Sequence, residues 1–472
     1  MPLPDLIEIV PLEKPVHAEI TVPGSKSITN RALILAALAE GEVTLQGALW
    51  SEDTQIMVEC LQELGFMVNV ELDPNETCNR TITVYGKGGV VPAGGTEQQP
   101  LELFVGNAGT AARFLSAFVC LGKGVYRLHG VPRMHERPQA ALFEAVRELG
   151  YRVESEAGND KLPVRISGGG LGDIPSKRSC TVSIEASSQF ASALLLCARI
   201  GNWDVKIKGE NAEESPYVAM TTELIKAFPN QGGKFQIEPD ASSGSYFWAA
   251  GWLTCQRRLD GNDDLFFPRA ALAKNTNWIN VQNWPTSRWQ IDSDFPNYLP
   301  LHLRLSRKLN LGDSIMTAIV IAADYEAARS SFKEGADSAL ELSIKDGYGY
   351  PCINFEDLER LRMQECERVA ALRNELSKCG GQVLEIENLL AVTPSKLHGA
   401  EIETYNDHRM AMCFAVLGLK VPGIKIRNPA CVKKTFPNFF QKLAAQPPHG
   451  LGATILDAET GRKLSQEELF AD

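Results

Sequence analysis

The chain has 472 residues, of which 44% are hydrophobic and 22% are charged, and it carries a net charge of -11. This length predicts about two to four domains and excludes a small disulfide-stapled scaffold. The acidic balance argues against nonspecific binding to nucleic acid, because neutralising phosphates requires a basic surface.

The eleven cysteines run from Cys60 to Cys431 without a CxxC pair, so neither a disulfide framework nor a zinc cluster is indicated. The N-terminal residues do not have the pattern of a targeting signal, and no stretch approaches the roughly 18 continuous apolar residues of a membrane span. We therefore expect a cytoplasmic protein without a membrane or nucleic-acid partner.

A pattern of small polar residues leading into an Ala-rich apolar segment occurs six times along the chain. Small polar residues favour helix N-termini, and Ala, Leu and Met favour helix interiors. The six predicted helix starts lie near Lys26, Asn107, Ser187, Asp240, Asp313 and Asn406. Runs of β-branched residues around them, such as 18–22, 81–84 and 181–184, predict strands. The pattern predicts an α/β fold built from repeated units.

Several cations lie within or beside these apolar segments, where an unpaired charge is unfavourable. For a single cation, a protein carboxylate is a sufficient partner. For the set as a whole, anionic ligands explain the pattern better. The set comprises Lys26, Arg31, Arg113, Arg137, Arg368, Arg409 and Lys434.

The common phosphate, metal and nucleophile motifs are not present. Residues 24–27 (GSKS) lack the adjacent Gly-Lys and the earlier Gly of a P-loop. HExxH, GxSxG and EF-hand patterns are also missing, so we expect no metal site.

Six segments together resemble the 5-enolpyruvylshikimate-3-phosphate (EPSP) synthase family, over about residues 8–445 and in the family's order. They are 23–31 (PGSKSITNR), 106–113 (GNAGTAAR), 136–138 (ERP), 187–189 (SSQ), 405–412 (YNDHRMAM) and 434–437 (KTFP). The resemblance implies an α/β, two-lobed inverted barrel with three βαβαββ-type units per lobe. It places the first lobe at 23–239 and the second at 1–22 and 240–445, with an insertion near 324–350 and a C-terminal extension at 446–472.

The resemblance also implies the reaction. The enolpyruvyl group of phosphoenolpyruvate is transferred to the 5-hydroxyl of shikimate 3-phosphate, and phosphate is released, without a metal or organic cofactor. Asp313 is implied as the base and Glu365 as the acid. The residues implied for shikimate 3-phosphate are Lys26, Ser27, Arg31, Ser187, Ser188, Gln189, Tyr217, Asp313 and Gln364. Those implied for phosphoenolpyruvate are Lys26, Asn107, Gly109, Arg137, Gln189, Arg368, His408, Arg409 and Lys434. We expect these two small molecules as the partners of a monomeric enzyme.

Some of these residues have alternative roles that the sequence leaves open. Ser187 and Ser188 could serve as helix caps, Tyr217 could pack in the core, and Asp313 could cap a helix. His408 could be a core histidine.

Three positions depart from the family pattern. Gln364 stands where the family has Lys, Arg360 stands where it has Asn, and Glu214 stands where it has Ser. Gln cannot supply a positive charge beside the reacting hydroxyl, although Arg360 or Arg362 could substitute for the missing one.

The sequence leaves two alternative functions open. One is an impaired paralogue that binds phosphorylated ligands without turnover and that gains rate on Gln364→Lys. The other is an enolpyruvyl transferase with a different acceptor, such as UDP-N-acetylglucosamine.

Overall fold

The computed structural model describes residues 3–170, 177–209, 215–255, 279–328 and 352–471. The chain forms two compact units. We call Pro23–Glu238 the central unit, and Met1–Val22 with Pro239–Asp472 the terminal unit.

The described part of the central unit contains two four-stranded sheets and one pair of strands. The first sheet has the order Gly233–Gln236, Glu40–Leu49, Asn79–Lys87, Val68–Leu72. The second has the order Leu101–Phe104, Lys123–His129, Val164–Gly169, Arg152–Ser155. The pair is Arg178–Ser183 with Trp203–Lys208.

The described part of the terminal unit has the same composition of sheets. One has the order Glu401–Ile402, Ile424–Arg427, Leu6–Ile9, Ile455–Asp457. Another has the order Arg304–Ser306, Ile353–Glu356, Leu389–Thr393, Gln382–Ile386. The pair is Ala18–Ile20 with Ile279–Val281.

All four of these larger sheets share one pairing pattern. In each, one edge pair is parallel and the next two pairs are antiparallel. Parallel neighbours need a crossover connection, whereas antiparallel neighbours can be joined by a short turn. The two units therefore repeat one arrangement of paired strands.

Helices connect the strands of both units. Those of the central unit are Lys26–Leu38, Glu52–Glu63, Gly109–Phe118, Pro132–Glu136, Ala140–Glu148, Ser188–Gly201 and Ser215–Ala227, with a short 3₁₀ turn at Val119–Leu121. Those described in the terminal unit are Ala241–Cys255, Ile315–Ala322, Tyr325–Ala328, Arg368–Lys378, His408–Gly418 and Phe439–Ala444. The terminal unit also has 3₁₀ turns at Ile291–Tyr298, Gly312–Ser314, Glu359–Met363, Pro429–Lys434 and Glu467–Leu469, and a π-helical turn at Arg307–Leu311.

The six predicted helix starts are confirmed, because each leads directly into one of these helices. Their apolar character places them in the cores; all eight residues of Ile315–Ala322 are buried, for example. Three starts are capped by a side chain at the preceding residue. Ser187 Oγ accepts from the Gln189 amide, Asp240 Oδ1 from the Ser243 amide, and Asp407 Oδ1 from the Arg409 amide.

The segment after about residue 445 packs into the terminal unit. Its strand Ile455–Asp457 pairs with Leu6–Ile9, and the Ala471 amide donates to the Pro437 carbonyl. Most of the predicted insertion lies outside the described residues. No described helix is both long enough and apolar enough to cross a membrane.

Candidate active site

Two basic residues lie on the first turns of the helix Lys26–Leu38 in the central unit. The Lys26 ammonium is 3.0 Å from Asp53 Oδ2, with 21% of the Lys26 side chain exposed. Arg31 lies on the same helix but is buried, at 2% exposure. Lys26 can therefore reach a ligand from the surface, whereas Arg31 is set into the protein.

Hydroxyl and carbonyl oxygens hold the Arg31 guanidinium. Nε donates to Thr221 Oγ1 at 2.8 Å, Nη2 to Ser192 Oγ at 3.1 Å, and Nη1 to the Ser27 carbonyl at 2.9 Å. Its carbon also lies 5.3 Å from the centre of the Phe114 ring. These contacts orient the guanidinium.

Gln189 connects the second and third helix starts of the central unit. Its Nε2 donates to Thr110 Oγ1 at 3.2 Å, and its Oε1 accepts from Arg113 Nη1. Because Arg31 also reaches Ser192 on the third of these helices, the three starts predicted from the sequence lie together within this unit.

Asn107, Gly109 and Arg137 form one contact group at the second start. Arg137 Nη1 donates to the Asn107 carbonyl at 3.3 Å, and a Cβ built on Gly109 would stand 2.6 Å from the same nitrogen. The Asn107 Oδ1 atom is buried and has no hydrogen-bond partner among the described residues.

The serines and the tyrosine of the sequence prediction differ in their surroundings. Ser187 is a helix cap, as the alternative role allowed, and both Ser187 and Ser188 are buried. Tyr217 is half-buried, and its carbonyl accepts from Thr221 Oγ1 at 2.8 Å. Glu214 lies outside the described residues.

In the terminal unit, two arginines contact the Asp313 carboxylate. Arg307 Nη2 is 2.9 Å from Oδ1, and Arg409 Nη2 is 3.3 Å from Oδ2. Burial on its own would raise the pKa of Asp313, but Arg409, Arg307 and Arg368 outweigh it and hold that pKa well below its ordinary value. Ser314, not Asp313, is the N-cap residue of the helix Ile315–Ala322. The alternative role of Asp313 as a helix cap is therefore wrong.

Arg409 joins the three helix starts of the terminal unit. Besides Asp313, it contacts Ser242 Oγ at 3.1 Å, at the start of Ala241–Cys255. Burial opposes its charge, yet Asp313 and other nearby acidic groups raise the pKa of Arg409 well above its ordinary value. It therefore stays a cation.

Arg368 is the centre of a second charged cluster in this unit. It is 1% exposed, and its Nε is 2.7 Å from Oδ2 of Asp407, whose side chain is fully buried. Nη2 is 2.8 Å from Glu365 Oε2, and Nη1 donates to Gln364 Oε1. The other oxygen of Glu365 is 3.1 Å from the Lys434 ammonium. Glu365 is thus held by two cations.

His408 is buried next to this cluster, with Nδ1 3.8 Å from Asp407 Oδ1. The two arginines considered as substitutes for a missing lysine differ. Arg362 is engaged with Glu385 at 2.7 Å and Glu367 at 3.1 Å, whereas Arg360 is half-buried in the turn Glu359–Met363.

Several residues that hold the predicted site residues were missed by the sequence analysis. They are Asp53, Ser192, Thr221, Ser242, Asp292, Arg307 and Asp407. Asp407 lies inside one of the six family segments and could have been singled out there. Arg307 and Asp292 lie in a segment without a recognisable pattern.

Asp292 supports the turn that carries Asp313. Its Oδ1 accepts from the Ser314 amide at 2.7 Å. Burial, and then the charge of Asp313, raise the pKa of Asp292 to about 7. Among the described residues, no group of three His, Cys, Asp or Glu side chains could hold a metal ion.

Comparison with known proteins gives consistent matches over most of the chain. The family model described as EPSP synthase (3-phosphoshikimate 1-carboxyvinyltransferase) matches residues 10–258 and 353–443. A 3-phosphoshikimate 1-carboxyvinyltransferase of Trichormus variabilis is 35% identical, over 93% of this chain and 98% of the relative. One of Vibrio cholerae is 34% identical, over 91% of this chain and 96% of the relative.

Solved structures give the same fold. EPSP synthase of Acinetobacter baumannii superposes with a TM-score of 0.62 at 19% identity, over 95% of this chain and 99% of that one. The enolpyruvyl transferase NikO of Streptomyces tendae gives 0.61 at 15% identity, over 98% and 99%.

Proposed function

The chain belongs to the EPSP synthase family, and from this premise we propose which of its residues carry out the family's reaction. The enzyme is a transferase of the shikimate pathway. It moves the enolpyruvyl group of phosphoenolpyruvate to the 5-hydroxyl of shikimate 3-phosphate, and phosphate leaves.

The proposed shikimate 3-phosphate residues of the central unit are those around Arg31 and the third helix start. Hydrogen bonds to Thr221, Ser192 and the Ser27 carbonyl orient Arg31, whose guanidinium suits a phosphate. Lys26 adds a second cation, which an anionic ligand would share with Asp53. Ser27, Ser187, Ser188, Gln189 and Tyr217 supply the hydrogen-bonding groups of this set.

The residues proposed for phosphoenolpyruvate are Lys26, Asn107, Gly109, Arg137, Gln189, Arg368, His408, Arg409 and Lys434. The buried Asn107 Oδ1 supports this role, because a buried polar atom normally has a partner. The amide groups that open Gly109–Phe118 support it too, since Ala108 offers no side-chain cap.

We propose Asp313 as the base that takes the proton of the 5-hydroxyl. A base works best when its pKa lies near the working pH, and Arg409 and Arg307 keep the pKa of Asp313 far below that. An anionic group of phosphoenolpyruvate that takes Arg409 as a partner would weaken the Arg409–Asp313 contact. The pKa of Asp313 would then rise, so binding of one substrate would prepare the base for the other.

We propose Glu365 as the acid that protonates the methylene carbon. Lys434 and Arg368 both contact its carboxyl group. Phosphoenolpyruvate anions that engage these two cations would compete with Glu365 for them. Both proposed catalytic carboxylates thus depend on cations that are also proposed to bind substrate.

Gln364 is proposed as a neutral contact to shikimate 3-phosphate. It is oriented by Arg368, which donates to its Oε1, and its amide nitrogen would be the donor to the ligand. The positive charge absent at this position is not replaced by Arg362, since two glutamates engage that residue.

We further propose the finer architecture of the family, an inverted barrel with three units per lobe. The repeated pairing pattern of the four larger sheets supports it. We also propose a monomeric enzyme, located in the cytoplasm, that needs no cofactor. None of the ten cysteines other than Cys255 forms a disulfide, which supports a reducing compartment.

One observation carries the site assignment: Glu365 and Asp313 are each contacted by two cations of the same unit. The test is phosphate release from phosphoenolpyruvate with shikimate 3-phosphate as acceptor, and with UDP-N-acetylglucosamine in parallel. We expect phosphate release when shikimate 3-phosphate is the acceptor and none when UDP-N-acetylglucosamine is the acceptor. Ligand-dependent thermal stabilisation without release would favour an impaired paralogue, and release with the sugar nucleotide would favour the other acceptor.

A further inference from the structure

Arg307 is a buried cation in a part of the chain that the family model does not match. The matched ranges end at residue 258 and resume at residue 353. The Arg307 side chain is 2% exposed, and its Nη2 atom is 2.9 Å from Asp313 Oδ1. A buried arginine is costly unless it is paired, and Asp313 is the carboxylate that pairs with Arg307.

A π-helical turn over Arg307–Leu311 brings the two residues together. Ser306 caps the turn by accepting from the Leu309 amide at 3.0 Å, and the Gly312 amide closes it by donating to the Arg307 carbonyl. π-Helical turns are rare in proteins, and those that occur are often found at functional sites.

Gly312 then redirects the chain towards Asp313. Its φ of +54° is in the left-handed region, and a Cβ there would stand 2.8 Å from Asp292 Oδ2. Asp292 in turn accepts from the Ser314 amide, on the other side of Asp313. The backbone around Asp313 is therefore fixed from both sides, and its side chain faces back towards Arg307.

The two oxygens of Asp313 have different partners. Oδ1 contacts Arg307, and Oδ2 contacts Arg409, whose side chain is 13% exposed. The other charged groups that act here are Arg368, which favours the ionised carboxylate, and Asp292 with Asp240, which lie close to Asp313 and Arg409. Arg409 is thus the more accessible of the two arginines, and Arg307 the enclosed one.

We propose that Arg307 is a positioning residue that holds the Asp313 carboxylate through Oδ1 throughout the reaction, so that Arg409 can leave Oδ2 and bind anionic substrate. This inference rests on the proposed role of Asp313 as the base. Without Arg307, Asp313 would rely on Arg409, and Arg409 would be less available to phosphoenolpyruvate.

The sign of the pH effect follows from the contact. The Arg307 cation stabilises the ionised Asp313, which is the form that accepts a proton, and so lowers its pKa. Removing the cation raises that pKa. The acid limb of the kcat profile, which reports the substrate complex, should therefore move to higher pH, by about one unit.

The experiment compares Arg307→Gln, Arg307→Lys and Arg304→Gln across pH in the full chain, with phosphate release as the assay. Arg304 is the matched control, because it is 72% exposed and pairs with Glu356. We expect Arg307→Gln to lower kcat at least about tenfold and to shift the acid limb, and Arg304→Gln to do neither. Arg307→Lys keeps the charge but loses the planar fork, so we expect a lower kcat with the acid limb unmoved.

Asp313→Asn separates the two proposals. If Asp313→Asn retains turnover, the proposed base is wrong. If Asp313→Asn abolishes turnover while Arg307→Gln keeps the wild-type kcat, KM for phosphoenolpyruvate and pH profile, the Arg307 inference alone is overturned. Should Arg307→Gln not fold, Arg307→Lys decides, because a wild-type kcat for that variant would refute the positioning role.

Discussion

A Cβ atom on Gly109 would stand 2.6 Å from Nη1 of Arg137, so the two residues can pack as they do because position 109 has no side chain. The guanidinium is in turn held by the Asn107 carbonyl at 3.3 Å. The backbone of one proposed substrate residue therefore sets the position of another.

Gly109→Ala should displace the Arg137 guanidinium and weaken the binding of phosphoenolpyruvate. We expect KM for phosphoenolpyruvate to rise at least about tenfold, the cost of losing one charge-assisted hydrogen bond, with a smaller change for shikimate 3-phosphate. Steady-state kinetics with each substrate varied in turn measures both. Gly169→Ala is the control, because a Cβ there would meet Tyr151 at an ordinary 3.5 Å. Equal KM values for Gly109→Ala and wild type would contradict the packing argument.

Gln364→Lys should lower the rate, although a lysine at this position matches the pattern of the family. Gln364 Oε1 accepts from Arg368 Nη1, so an ammonium in its place would face the Arg368 guanidinium. Like charges at this distance repel, and the shift of Arg368 would disturb Glu365 as well.

The matched variant is Gln364→Met, which removes the acceptor without adding a charge. We expect kcat/KM to fall in the order wild type, Gln364→Met, Gln364→Lys. A rise in kcat/KM for Gln364→Lys would instead support the impaired-paralogue hypothesis and a space for a lysine beside the substrate.

The sequence was sufficient to predict the helix starts. It predicted far fewer of the residues that contact the proposed site residues. Caps and apolar runs are local signals, and they located each of the six helices. One partner of Arg31, by contrast, is Thr221, 190 residues along the chain, and no local pattern joins the two. The carboxylate beside Lys26, Asp53, was likewise not predicted, because tertiary packing decides which acidic residue meets which cation.

The segment around Arg307 shows a different limit. The resemblance to the family implied a role for Asp313, but none of the six family segments lies within residues 259–352, which the family model does not match. A π-helical turn also has no sequence signature comparable to a helix cap. The structure was needed to place Arg307 and Asp292 on either side of the proposed base.

Asp292 should make the wild-type protein less stable as the pH rises from about 4 to about 7. Burial and the nearby Asp313 raise the pKa of Asp292 to about 7 in the folded chain, whereas the unfolded chain has the ordinary carboxyl value. The folded state therefore favours the protonated form, and stability is lost as the unfolded state ionises first. Asp292→Asn cannot ionise and should keep the hydrogen bond from the Ser314 amide.

We expect the free energy of unfolding of Asp292→Asn to rise relative to that of wild type between pH 4 and 7, by on the order of 4 kcal/mol at most. The difference between the two proteins should stay constant above pH 7. Urea unfolding at pH 5, 6, 7 and 8 measures it. Asp294→Asn is the control, since Asp294 is exposed on the same turn. A gap independent of pH would show that the Asp292 carboxyl does not titrate in this range.

Arg368 and Asp407 should behave as one buried pair. Burial opposes the charge of Arg368, but Asp407 and Glu365 raise its pKa above the ordinary value, so Arg368 stays a cation beside the Asp407 carboxyl group. Removing one partner leaves the other charge buried and unpaired, at a cost of about 3–5 kcal/mol. Asp407→Asn keeps a good helix cap for His408–Gly418, so its effect reports the charge rather than the cap.

A double-mutant cycle of Arg368→Met and Asp407→Asn measures this coupling by urea unfolding. We expect the double variant to lose clearly less free energy of unfolding than the sum of the single variants, because no unpaired charge remains. Arg362→Met is the comparison, since Arg362 is 27% exposed and pairs with Glu385 at 2.7 Å, and it should cost about 1 kcal/mol or less. Additive losses in the Arg368–Asp407 cycle would mean that the two residues stabilise the unit through separate contacts.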